Sequence, residues 1–292
     1  MKTLFRAMAA SLILAVGCGD VVIEQPTPNE PTKKPIKFNI TRNADVTFEG
    51  GDKAGFYVVD SYNYGKCFVD NGELEYYNST WNSEEELYWD EACELADVYC
   101  YIPYADVYNR DSHNFSISTE QNEIDNYKNS DFLWGEAKYI DPTDPDSDRV
   151  ELEMKHLMSR VVITLEPGKG FSEEELLNAD VRIETANNVA EINLLNGEIK
   201  CNGFGEAVRP YHNYDGDGKY YAVLVPQTIQ DMDFITITTT AGKEYKLHQD
   251  YMEMAPGKQY NCTLTLNKNS YGIDIGITDW EVEDQDFGGT LN

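Results

Sequence analysis

From Lys37 onward, short runs in which apolar and polar residues alternate dominate the chain. Val161, Ile163 and Leu165 alternate with Val162, Thr164 and Glu166. Ile235 and Ile237 alternate with Thr236 and Thr238, and Cys262, Leu264 and Leu266 with Thr263 and Thr265. A period of two, in Val, Ile, Thr and Tyr, with Gly, Asn and Asp between the runs, predicts antiparallel sheet with one face of each strand buried. The fold class expected is all-β with few short helices.

Turn chemistry refines this expectation. Asn71-Gly72, between Lys66–Asp70 and Glu73–Tyr77, and Asn196-Gly197, between Ala190–Leu195 and Glu198–Cys201, predict type I′ hairpins, because both residues reach positive φ at low cost. Ala241-Gly242 predicts a third hairpin. Ser172 with Glu175, and Ser83 with Glu86, have the spacing of capping boxes and predict two short helices. The stretch 142–148, Pro-Thr-Asp-Pro-Asp-Ser-Asp, reads as an exposed loop before the alternating Val150–Met154. A division of the chain falls between 155 and 160, and no repeat of fixed period is present.

The N-terminus follows different rules. Lys2 and Arg6, an apolar run from Ala7 to Val16, and Gly17-Cys18 give the pattern of a secretory signal peptide, too short for a membrane span. A cysteine directly after the small residue is what a bacterial lipoprotein signal requires. Cys18 is therefore the expected lipidation site, receiving a diacylglyceryl group and then palmitate as the new N-terminus, although Ala15 stands where Leu is usual. Residues 18–36 carry Pro26, Pro28, Pro31 and Pro35 among polar residues, a composition that stays extended and reads as a tether. The expected organisation is signal peptide 1–17, tether 18–36, and domains 37–158 and 159–292.

Composition narrows the class. With 41% hydrophobic and 12% aromatic residues the chain can build cores. Its formal charge of −29 repels phosphate backbones and anionic lipid surfaces, so a nucleic-acid partner is excluded. The acid surplus serves solubility first. Beyond Cys18 there are Cys67, Cys93, Cys100, Cys201 and Cys262, none in C-x-x-C spacing, and a buried small hydrophobe is the default role for each. The sequence leaves any disulfide pairing among them open.

Catalytic and metal signatures are weak. His113, His156, His212 and His248 are scattered without paired spacing, no G-x-S-x-G elbow occurs, and carboxylates are too numerous for any pair to mean anything. Asn213-Tyr-Asp215-Gly-Asp217-Gly218 matches the start of a calcium loop, but Leu224 stands where the bidentate Glu is needed, so a Gly-rich strand connection is the better reading. No enzyme, metal or cofactor is expected. Tyr76-Tyr77, Tyr99 to Tyr104 and Tyr220-Tyr221 read mainly as amphipathic strand residues, with stacking on carbohydrate as the other use of such rings.

Seven segments in register carry a resemblance. They are Phe48-Glu-Gly-Gly-Asp-Lys-Ala-Gly-Phe56 just after Thr41-Arg42, Tyr101-Ile-Pro-Tyr104, Asp131-Phe-Leu-Trp-Gly-Glu-Ala137, His156-Leu-Met-Ser-Arg-Val161, Leu224-Val-Pro-Gln227, Gly257-Lys-Gln-Tyr260 and Ile277-Thr-Asp-Trp280. With them the chain resembles the fimbrillin-like lipoproteins of Bacteroidales. Ala54, where Ile or Val is usual, and the extra Gly50-Gly51 depart from the family pattern.

The resemblance implies two tandem β-sandwich domains, transthyretin-like with Greek-key connections, and a role as a structural or adhesive subunit of a surface pilus. It also implies a place on the outer membrane through the lipid and other fimbrillin subunits as partners. In that family a protease cuts after an arginine, the N-terminal strand leaves, and a strand from the next subunit enters the vacated groove. Arg42 is the implied processing residue, with Lys37–Thr41 as the departing strand. Arg42 as a plain solvated residue at a strand end remains the other reading. After Trp280 the tail runs only to Asn292, so stalk, tip and anchor all stay open. A monomeric outer-membrane lipoprotein that captures a glycan or another surface ligand is the competing function.

Overall fold

A computed structural model describes residues 34–42, 48–145, 149–267 and 271–280, and the described chain from residue 34 belongs to one unit. The signal peptide, Cys18 and the tether up to residue 33 lie outside the described residues, as does the tail beyond Trp280. In chain order the elements are β1 (Lys37–Arg42), β2 (Lys53–Asp60), β3 (Asn63–Tyr77), β4 (Thr80–Asn82), β5 (Ala96–Ile102), β6 (His113–Ser116), α1 (Ile124–Asn129), β7 (Leu133–Ile140), β8 (Arg149–His156) and β9 (Ser159–Pro167). They continue with α2 (Glu173–Leu177), β10 (Asp180–Ile183), β11 (Val189–Ile192), β12 (Ile199–Cys201), β13 (Tyr211–His212), β14 (Tyr220–Leu224), β15 (Thr228–Thr238), β16 (Glu244–Glu253), β17 (Lys258–Leu266) and β18 (Tyr271–Asp279). The protein is all-β, with two short helices among the described residues.

Four sheets organise these strands. One has seven strands in the order β1-β8-β7-β5-β2-β3-β4, and a second has five in the order β13-β14-β9-β17-β18. The other two have three strands each, β10-β15-β16 and β12-β11-β6. Pairing is antiparallel except for β1 with β8 and β9 with β17.

Side-chain alternation explains the layers. In β2 both faces are buried: Phe56 and Val58 enter one apolar cluster with Leu74, Trp81, Val98, Cys100, Val150, Leu152 and Met154, while Tyr57 and Val59 enter another. That second cluster continues into the C-terminal half, where Val161 and Ile163 of β9 and Cys262 and Leu264 of β17 face Val181, Ile235 and Leu247 of the β10-β15-β16 sheet. Two sheets closing over one apolar layer is the architecture that half-buried strands require. The expected boundary at 158/159 falls in the connection between β8 and β9. The β12-β11-β6 sheet draws strands from both sides of it, and the Trp134 indole N–H donates to the Leu194 carbonyl at 2.8 Å across it.

Local expectations meet mixed outcomes. The Ser172 capping box starts α2 as expected, with Glu175 N–H donating to the Ser172 hydroxyl. Ser83 starts no helix; its hydroxyl bonds the Glu85 carbonyl and residues 83–87 are irregular. Asn71-Gly72 makes no hairpin, because β3 runs through it unbroken. Asn71 at φ 54 sits where the register slips between Phe56↔Gly72 and Val58↔Val69, so the same backbone freedom builds a bulge instead of a turn. The hairpin turn lies at Ser61-Tyr62. Around Asn196-Gly197 a hairpin does form, but through the wider connection 193–198, with the Asn193 carbonyl accepting from the Gly197 N–H. Gly242, at φ 78, turns β15 into β16 as expected.

Candidate functional site

The site follows from how β1 is seated. β1 pairs in parallel with β8 along its whole length, from Lys37↔Arg149 to Arg42↔Met154. Pairing starts even earlier, inside the stretch read as tether: the Ile36 N–H donates to the Leu87 carbonyl at 2.8 Å, and the Trp89 N–H to the Lys34 carbonyl at 3.0 Å. Residues 34–36 are thus part of the fold. β1 forms one edge of the seven-stranded sheet and β4 the other, and the two edges lie against each other, so the sheet curls nearly closed with β1 at the seam.

Period two gives β1 an apolar face. Ile36 and Ile40 are buried, and the Phe38 ring packs on Phe56 with centroids 4.7 Å apart. They lie against Val150, Leu152 and Met154 of β8 and the cluster containing Trp81 and Trp89. On the other face Asn39 bonds the Glu151 carboxylate, and the Thr41 hydroxyl donates to the Leu152 carbonyl at 3.3 Å. Burying the two isoleucines contributes about 3–6 kcal/mol gross, an upper figure because an unfolded chain already hides some of that surface.

The groove beneath β1 is lined by apolar side chains. Burial pushes the Cys93 thiol up to about 11 and raises that of Cys100 as well. Its chemistry is shape and hydrogen bonding: a ladder of main-chain groups along β8 and pockets for alternate side chains of an extended segment. A vacated groove would expose both.

Arg42 is the last residue of β1 and precedes residues 43–47, which lie outside the described set. The backbone at Arg42 is paired with Met154. All five later cysteines are free; Cys93, Cys100 and Cys262 are buried as expected, whereas Cys67 is half-buried and Cys201 exposed on edge strand β12. Among the described residues no group of His, Cys, Asp and Glu could hold a metal ion. The calcium-like segment is a turn between β13 and β14 in which the Asn213 amide donates to the Asp217 carboxylate at 3.1 Å.

At the far side of the seven-stranded sheet a second arrangement stands out that sequence reasoning missed. Asp97 is fully buried, and its carboxylate accepts from the Ser61 hydroxyl at 2.6 Å, the Tyr64 hydroxyl at 3.1 Å, the Tyr99 hydroxyl at 3.3 Å and the Tyr139 N–H at 3.0 Å. The signal was faint, because three of the four partners, Ser61, Tyr64 and Tyr139, are 36, 33 and 42 residues from Asp97 in the chain.

Solved structures share this fold. A candidate cell adhesion protein from Bacteroides uniformis superposes with a TM-score of 0.70 at 18% identity, over 88% of this chain and all of that one. A second candidate cell adhesion protein, from Bacteroides ovatus, gives 0.68 at 16% over 86% and 99%. The tip fimbrial protein Mfa3 from Porphyromonas gingivalis, with a C-terminal truncation, gives 0.52 at 11% over 80% and 95%. No curated protein matches the sequence. The fimbrillin-like family profile matches residues 41–280, the span of the seven motif segments, and the chain therefore belongs to the fimbrillin-like family.

Proposed function

We propose that this protein is a structural and adhesive subunit of a bacterial surface pilus, exported as a lipoprotein through Cys18 and assembled when cleavage after Arg42 frees β1. The observation that carries the reading is the seat of β1: one six-residue parallel ladder to β8 at the seam of a curled sheet, over an apolar groove. Parallel ladders are slightly the weaker kind, and only one long ladder must open for the strand to leave. A donor strand from another fimbrillin subunit would restore both the main-chain bonds and the buried side chains. The unpaired edge drives assembly. Until that cleavage, residues 37–158 and 159–292 act in this proposal as two domains held at the cell surface by the lipid, and afterwards contacts between subunits hold what remains. Family membership favours a structural role over a catalytic one.

The test treats the purified chain with an arginine-specific protease, sequences the new N-terminus and resolves the products by gel. A start at Asn43, followed by detergent-resistant ladders that Arg42→Ala abolishes, supports the proposal. A chain uncut after Arg42, or a trimmed chain that stays monomeric, overturns it. Loss of palmitate labelling in Cys18→Ser tests the anchor.

A further inference from the structure

Three unusual features converge at the end of the seven-stranded sheet where β2 turns into β3 and β7 ends. Asp97 buries a carboxylate completely, which is costly unless every lone pair is used, and it collects four donors. Beside it the β5–β7 register slips between Ala96 and Val98, leaving a bulge. Tyr139 holds φ at 56, a left-handed conformation rare for a bulky residue. Bulges and left-handed bulky residues gather where a side chain must be aimed.

What these features aim is a set of tyrosine rings. Tyr62 is 75% exposed, Tyr139 64% and Tyr64 47%. Asp97 ties Tyr64 through its hydroxyl and Tyr139 through its main chain, and the Asp60 carboxylate accepts from the Tyr62 N–H at 2.9 Å, fixing the turn that carries that ring. The Tyr64 phenol is held above its ordinary pKa, first by its bond to Asp97, and the same carboxylate accepts from the Tyr139 main chain, which brings the two residues to one place. The flanking cations are already paired, Lys138 with Glu136 at 2.9 Å, Lys66 with Asp60 at 3.7 Å, and Arg110, which donates to the Tyr64 carbonyl, with Asp70 at 3.7 Å.

We propose that Tyr62, Tyr64 and Tyr139 form a binding surface for a neutral glycan, positioned by Asp97. Flat phenol faces stack on the C–H faces of pyranose rings, and their hydroxyls bond sugar hydroxyls at the rim. Tyr62 stands on the β2–β3 turn, Tyr64 at the start of β3 and Tyr139 at the end of β7. With both lysines engaged and a chain of net charge −29, nothing here draws an anion. This inference does not depend on release of β1, and the uncut chain serves to test it.

The full chain is titrated with cellohexaose and with the N-acetylglucosamine hexamer, followed by saturation-transfer NMR and calorimetry, with a heparin hexasaccharide as the anionic comparison. Saturation of sugar C–H protons by at least one neutral hexamer is expected. Tyr62→Ala and Tyr139→Asn should each weaken binding by up to about tenfold, Tyr62→Ala with no change in melting temperature, since an exposed stacking ring contributes about 1 kcal/mol. Binding of neither neutral hexamer overturns the proposal. So does equal or tighter binding of heparin, or wild-type affinity in both variants.

Discussion

The His156 imidazole lies flat on the Trp280 indole, with ring centroids 3.9 Å apart and planes 9° from parallel. On the Trp280 ring also sits the Arg160 guanidinium, 5.1 Å from the centroid, and the Arg160 side chain donates to the Trp280 carbonyl at 3.3 Å. Asp131 completes the group, 2.8 Å from the His156 Nδ1. The last described residue of the chain is thus clamped between the ends of β8 and β9. Trp280→Ala should therefore lower unfolding free energy by about 3–5 kcal/mol, as large buried truncations do, measured by urea denaturation followed by circular dichroism. A loss under 1 kcal/mol would show that the clamp contributes little.

Ile40→Ala should loosen the seam. The side chain is buried among Leu152 and its neighbours, so the cost is about 2–4 kcal/mol, borne by β1 before the rest of the sheet. Faster proteolysis on the C-terminal side of Arg42, timed by mass spectrometry, is the expected readout. Unchanged cleavage would mean that β1 opening does not limit access.

His248 should titrate late. Its bond to Asp233, reinforced by Asp231 and Asp250, raises its pKa above the ordinary 6.5, while the same bond lowers that of Asp233 below 3.8. The histidine's contribution is complete below about pH 6.5 and fades as pH rises through its folded value; the carboxylate's holds above about 3.8 and fades as pH falls through its own. The pair is at full strength between those limits. An NMR titration should place the His248 midpoint above 6.5, and Asp233→Asn should bring it down; a midpoint at or below 6.5 in the wild type would refute the pairing.

Thiol chemistry should separate the cysteines. Cys201 is exposed but its thiol is raised by burial of its sulfur, which donates to the Pro226 carbonyl at 3.0 Å; Cys262 is buried and pushed up to about 12. In the native protein a disulfide reagent should modify Cys201 first, faster at pH 9 than at pH 7, and Cys201→Ser should remove that phase. Fast labelling of Cys262 without denaturant would contradict the described core.

Strands were readable in the sequence because a half-buried strand writes its environment into every second residue: Val150 to Met154 alternate, and β8 alternates in burial. The family resemblance placed a first strand at Lys37–Thr41, within a residue of β1. Asn71 was not, since its local chemistry suits a turn or a bulge equally. The choice is made by distant partners, the Tyr101 hydroxyl donating to its side-chain oxygen at 2.6 Å and its amide donating to the Ala105 carbonyl at 3.0 Å. Helix α1 escaped notice because it buries no residue and has no side-chain cap, leaving neither stripe nor start signal. Asp97 looked like one acid among many. Only folding brings Tyr64 and Tyr139, 33 and 42 residues away, to the same carboxylate.

The long reach of β1 sets an order of events. Asn39 meets Glu151 across 112 residues of sequence, so β1 must wait for β8 before it has a ladder to join. Contacts of such high sequence separation form late, after the loop-closure entropy has been met by more local pairs such as β2 with β3. Until β1 docks, the cleft beside β8 would stand open, with its native occupant a tethered competitor. An incoming segment from outside would then race the chain's own strand on concentration alone, and the outcome of folding would depend on what else is present in the compartment.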